Sequence, residues 1–130
     1  MTVRRFAIVF LLAQAVGAAA WWGLLLGWPA SRLPFKAADA PDVTLLAFGV
    51  ADILLFAGTS AVCGCGFAAG RHWAWPTLCV HSGAAGYAGL YCWTLFALTG
   101  DGALGATLMT PSLTVPAWLV WRLRPTRGTP

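Results

Sequence analysis

The chain has 130 residues, of which 59% are hydrophobic and 9% charged, against roughly a quarter charged in an ordinary soluble domain. That composition does not fit a water-soluble globule. Four apolar runs of about 20 residues each would use nearly the whole length, which leaves no room for a separate catalytic domain.

The first run extends from Phe6 to Trp28, with Gln14 its one strongly polar residue. At about 1.5 Å per residue it crosses a hydrocarbon core of about 30 Å. Arg4 and Arg5 ahead of it and Ala18 to Ala20 within it also suit a cleaved secretory signal. Trp21, Trp22 and Trp28 instead suggest an interfacial belt and a retained span. Pro29, Pro34 and Pro41 with Arg32, Lys36, Asp39 and Asp42 make a loop that no α-helix should cross. Val43 to Ala69 is the second span, interrupted only by Asp52 and small hydroxyls, and Gly70, Arg71 and His72 turn the chain back. Trp75 to Thr99 is the third, with Pro76 in its first turn, where a missing N–H does no harm. Ala103 to Trp121 is the fourth, and Pro111 and Pro116 predict that it is bent or locally widened. The expected fold is therefore one all-α transmembrane domain, an antiparallel up-down bundle with helices at about 6–28, 43–69, 75–99 and 103–121.

With four spans, Arg4, Arg5, Arg71, Arg122, Arg124 and Arg127 share one side, and Arg32 and Lys36 lie on the other with Asp39, Asp42 and Asp101. Basic residues are retained in the cytoplasm, so both termini are expected there, with a bacterial inner membrane as the setting. The same asymmetry explains the net charge of +4 without a nucleic-acid partner.

Asp52 is the sharpest oddity, because an ionisable group in hydrocarbon costs about 2.5 to 3.5 kcal/mol on insertion scales and needs a partner or a proton. A tight hairpin centred on Arg71 brings Asp52 level with Leu90, beside Tyr91, and Tyr87 lies one turn away on the same face. A hydrogen bond from Tyr91 to Asp52 is the expected clasp, with a proton or substrate relay as the alternative. The same arithmetic puts Cys63 level with Cys79, Cys65 about 3 Å shallower and His81 about 3 Å deeper. Cys63, Cys65, Cys79 and His81 could together take zinc, copper(I) or mercury. Against that, Cys63 and Cys65 project about 200° apart on a helix, as do Cys79 and His81, so packing is the plainer reading. Cys92 lies far from this level. His81 could instead ligate a haem or a chlorophyll-type pigment, or simply hydrogen-bond Gln14 or Ser60 at similar depth. No Ser-His-Asp set, phosphate loop or pair of carboxylates appears, so no enzyme and no cofactor is expected.

Small residues at four-residue spacing, Ser82 with Gly86 and Ala85 with Gly89, face a second helix that holds Gly58, Ser60, Ala61, Gly64 and Gly66. Close backbone approach is the expected consequence, with the second and third helices as the core pair. Trp73, Trp75, Trp118 and Trp121 fall at the boundary carrying the arginines and read as anchors.

The stretch Gly86 to Cys92, followed by Leu98, Thr99, Gly100, Gly102, Leu104, Gly105, Leu108, Met109 and Pro111, resembles the membrane region ahead of the methyltransferase part in some bacterial isoprenylcysteine carboxyl methyltransferase-like proteins. Trp73 to Pro76 is similar as well. The resemblance implies a four-helix membrane unit. The family's catalytic part would need an Arg-His-Pro motif and a His with a downstream Glu, whereas Arg71 and His72 are followed here by Trp73 and the chain has no Glu. The expectation is thus a non-catalytic membrane subunit or scaffold whose partners are the bilayer and larger membrane proteins. A small transporter or metal carrier and a pigment- or haem-bearing electron-transfer subunit stand as alternatives.

Overall fold

The protein is described by a computed structural model covering residues 1 to 125; Arg127, counted above among the basic residues, lies outside the described residues. The chain is helical, and no strand occurs among the described residues. Helix α1 runs Val3–Gly27, α2 Asp42–Ala68, α3 Ala74–Thr99 and α4 Ala103–Arg122. These bounds differ from the expected ones by three residues at most. Three of the helices, α1, α2 and α4, are long and apolar enough to cross a membrane. Helix α3 matches them in length at 26 residues and carries no Asp, Glu, Lys or Arg. Its His81, Ser82, Tyr87, Tyr91 and glycines lower its hydropathy below that of the others.

Thr2 caps α1, its hydroxyl accepting from the Arg5 N–H at 3.3 Å. Beyond Trp28 the proline-rich loop is not shapeless. Pro29–Phe35 forms a 3₁₀ helix with Pro29 at its start, a form in which the early missing N–H is tolerated. Helix α2 ends at Gly70, whose φ of +66° is in the left-handed region. The Arg71 N–H reaches back to the Gly66 carbonyl at 2.9 Å and the Gly70 N–H to Phe67 at 3.2 Å, the paired closure that satisfies the last carbonyls of a helix. Gly100 and Gly102 make the final turn, at φ +77° and +76°.

Two expectations about regularity and packing are corrected. Helix α4 stays α-helical through Pro111 and Pro116, and the widened turn falls in α2, where Asp52–Gly58 is π-helical. Gly58 stands at its end, where a Cβ would make a tight approach of 3.2 Å to the Ile53 carbonyl oxygen, five residues back. The tightest pairs are α3 with α4 and α1 with α2, not α2 with α3. The small residues explain it: a Cβ at Gly64 would lie 2.9 Å from Leu12 of α1, and one at Gly89 3.0 Å from Leu113 of α4. The buried cluster of Ala7, Leu11, Cys63, Leu78 and Leu119 draws on all four helices.

Candidate functional site

Two groups of polar side chains lie between the helices. In the first, the Trp22 indole Nε1 donates to Asp52 Oδ2 at 3.2 Å. Gly49, one turn before Asp52, makes this fit: a Cβ there would stand 3.0 Å from the Trp22 ring, so the indole lies on bare backbone. Trp22 is only 2% exposed. It is thus a packed interhelical donor rather than part of an interfacial belt. Tyr91 does not meet Asp52; its ring packs on Phe48, centroids 4.5 Å apart. The hairpin arithmetic placed α3 at the right level but could not see that α2 turns this face toward α1. Gly49 and Asp52 on one face of α2 were the available signal, and Trp22 was the residue overlooked.

The second group joins α1, α2 and α3 around His81, which is fully buried. Its Nε2 lies 3.0 Å from Gln14 Oε1 and its Nδ1 3.1 Å from Thr59 Oγ1. Ser60 Oγ donates to the Leu11 carbonyl at 2.8 Å and also lies 3.2 Å from Gln14 Oε1. Thr59 donates to the Leu55 carbonyl. Counting protons orders this network. The single hydroxyl protons of Thr59 and Ser60 are both committed to backbone carbonyls, so Nδ1–H of a neutral His81 must donate to Thr59, which leaves Nε2 as an acceptor. In the orientation recorded, Gln14 Nε2 is buried without a partner. Turning the amide over sets its N–H groups against His81 Nε2 and Ser60 Oγ and leaves only a carbonyl oxygen under-bonded, the less costly outcome. The Phe56 ring covers the imidazole at 5.4 Å between centroids.

Both ring nitrogens of His81 are therefore engaged, and a haem or pigment would have to displace Gln14 or Thr59 to reach one. The proposed metal set does not converge either. Cys63 is buried, with its thiol donating to the Ala74 carbonyl at 3.4 Å. Cys65 is exposed and Cys79 only partly covered. Among the described residues no three His, Cys, Asp or Glu side chains come close enough to hold a metal ion. The reason is angular, since the π-turn ends at Gly58 and α2 is regular from Thr59 to Ala68, which keeps Cys63 and Cys65 on different faces.

The tryptophans at the arginine-bearing boundary also differ from simple anchors. Trp75 Nε1 donates to the Val120 carbonyl at 3.1 Å, and the Trp73 ring lies over Gly66, where a Cβ would stand 2.5 Å from it. Comparison with known protein families, curated proteins and solved structures found no match to this chain.

Proposed function

We propose that this chain is a non-catalytic integral membrane protein, a small subunit or scaffold that crosses a bacterial inner membrane four times with both termini in the cytoplasm and packs against larger membrane partners. The observation that carries this reading is the direction in which side chains point. Large apolar residues face outward on every long helix, among them Val9, Val16, Leu54, Val80, Leu90 and Leu108. Asp52, His81, Gln14 and Ser60 instead turn inward and bond to one another, to Trp22, to Thr59 or to backbone. Such an arrangement suits lipid outside and polar clasps between helices. Helix α3 joins the crossings on this view because its one titratable imidazole, His81, is hidden against α1 and α2. The chain would keep the membrane unit of the methyltransferase-like proteins it resembles and lack their enzyme.

The test is cysteine labelling in intact cells, in a variant whose four native cysteines are replaced. A cysteine at Ala38 should react with an impermeant maleimide, and one at His72 should react only after permeabilisation. Reaction at both sites, or at His72 alone, overturns the four-crossing orientation. Native mass measurement of the solubilised protein should find it with a larger membrane partner, and stoichiometric zinc or copper would favour the carrier instead.

A further inference from the structure

The α1–α4 seam is packed far more loosely than the α1–α2 and α3–α4 pairs, and a groove of about 280 Å³ opens along it, lined by Phe6, Thr114, Val115 and Trp118. Its walls are nearly all apolar. Phe6 and Trp118 meet edge to face, 5.9 Å between centroids, and form the floor near the end where α1 begins and α4 finishes. Thr114, Trp118 and Arg122 follow at four-residue intervals and so stack along one face of α4, which sets Arg122 one turn beyond the ring, at the mouth of the groove. Arg5 lies at the same end of the bundle, next to Phe6 in sequence but about 100° away around α1. Both arginines are exposed.

The charges at this mouth have no described counterpart. Among the described residues the two ion pairs both involve Asp42 at the far end, and no carboxylate lies near Arg4, Arg5, Arg71, Arg122 or Arg124. Arg4 donates through Nε and Nη2 to the Phe67 carbonyl, at 2.9 and 2.5 Å; Arg122 lies over the exposed Trp121 ring, 5.6 Å from its centroid, a contact that leaves its charge without a counter-ion. Arg5 also sits in the first turn of α1, where the helix dipole is already positive and a cation is unfavourable. Its presence there does not serve the helix. An apolar trough with an unneutralised guanidinium at its mouth matches a molecule that is apolar along its length and anionic at its head.

We propose that the α1–α4 groove is a binding site for one anionic phospholipid, with an acyl chain lying along Phe6, Thr114, Val115 and Trp118 and the phosphate met by Arg122. A zwitterionic headgroup fits less well, because no carboxylate is present to receive its ammonium. The inference rests on the chain lying in a bilayer, and the two can fail separately: recovery of the protein in the soluble fraction would sink the membrane reading, whereas a membrane-bound protein indifferent to headgroup would sink only this one.

The experiment is native mass spectrometry of the detergent-solubilised protein with equimolar phosphatidylglycerol and phosphatidylcholine of matched chains. One phosphatidylglycerol adduct should be retained about fivefold over phosphatidylcholine, the preference expected for one arginine near the headgroup plane. Arg122→Gln should bring the ratio close to one, and Arg122→Lys should keep most of it. Thr114→Trp, on an exposed position that fills the trough, should reduce retention of both lipids. Equal retention by the native protein, a ratio unmoved by Arg122→Gln, or unchanged adducts in Thr114→Trp would each overturn the site, as would a tightly bound protein partner found covering the groove.

Discussion

The two ends of the helix bundle are closed by different physics. At the loop end, charge does the closing. Arg32 donates to Asp42 at 2.8 Å and to the Leu25 carbonyl at 2.8 Å, which ties the end of α1 to the start of α2. Lys36 stands 3.6 Å from the other Asp42 oxygen, and Asp101 accepts the Ala38 N–H at 2.9 Å, which joins the loop to the α3–α4 turn. At the arginine end there is no described carboxylate, and closure comes from backbone and packing: the Gly70 turn, the Trp73 ring on Gly66, and Arg4 on the Phe67 carbonyl. The contrast shows that two cations can be structural at one end while most of those at the other pair with no carboxylate among the described residues.

The largest effect should come from breaking the packed end. Gly66→Leu places a Cβ 2.5 Å from the Trp73 ring and 3.1 Å from the Ala74 Cβ, so the indole must leave the helix surface it now covers. A loss of about 1 to 3 kcal/mol is expected for overpacking of this kind, read as a lower midpoint of thermal unfolding in detergent. Gly83→Leu serves as the comparison, because nothing lies within 4 Å of that position, and it should leave the midpoint nearly unchanged. Equal effects at both positions would mean that Trp73 does not close this end.

A second experiment separates the clasp that the structure holds from the one expected in its place. Trp22→Phe removes the N–H that now reaches Asp52 at 3.2 Å and leaves a carboxyl group between helices without its donor, at a cost of about 1 to 3 kcal/mol. Asp52→Asn keeps an acceptor oxygen for Trp22 and should assemble normally. Tyr91→Phe should change nothing measurable, because its ring rather than its hydroxyl makes the contact with Phe48. A Tyr91→Phe loss as large as that of Trp22→Phe would restore the hairpin pairing.

The sequence made the helices legible because apolar runs, glycines and prolines act locally: the Gly70, Gly100 and Gly102 turns and the starts of α3 and α4 are all properties of a few adjacent residues. The His81 level was legible for a similar reason, since counting outward from a turn gives depth, and Gln14 and Ser60 fell at that depth. What counting along a chain cannot give is rotation about the helix axis. That is why chain position points to Tyr91 rather than Trp22 for Asp52, and to α2 with α3 as the closest pair, although Gly64 faces Leu12 and Gly89 faces Leu113. The π-turn at Asp52–Gly58 has the same character. An extra residue per turn leaves no hydrophobic signature in a segment that is apolar all round, whereas Pro111 and Pro116 advertise a distortion that α4 absorbs without losing its helix.

The smallest effect sharpens the comparison of the two ends most directly, because salt should act on them with opposite sign. Screening weakens the attraction of Arg32 and Lys36 for Asp42 at the loop end, and it also weakens the mutual repulsion of Arg5, Arg71, Arg122 and Arg124 at the other. In the native protein the two trends oppose each other, so the unfolding midpoint should respond little to added sodium chloride. Asp42→Asn removes the attraction and leaves the repulsion, and its midpoint should rise with salt. The double variant Arg5→Gln, Arg122→Gln does the reverse, and its midpoint should fall with salt. Parallel responses in the two variants would show that the ends are not electrostatically distinct, and the division of labour between paired and unpaired cations would fail with them.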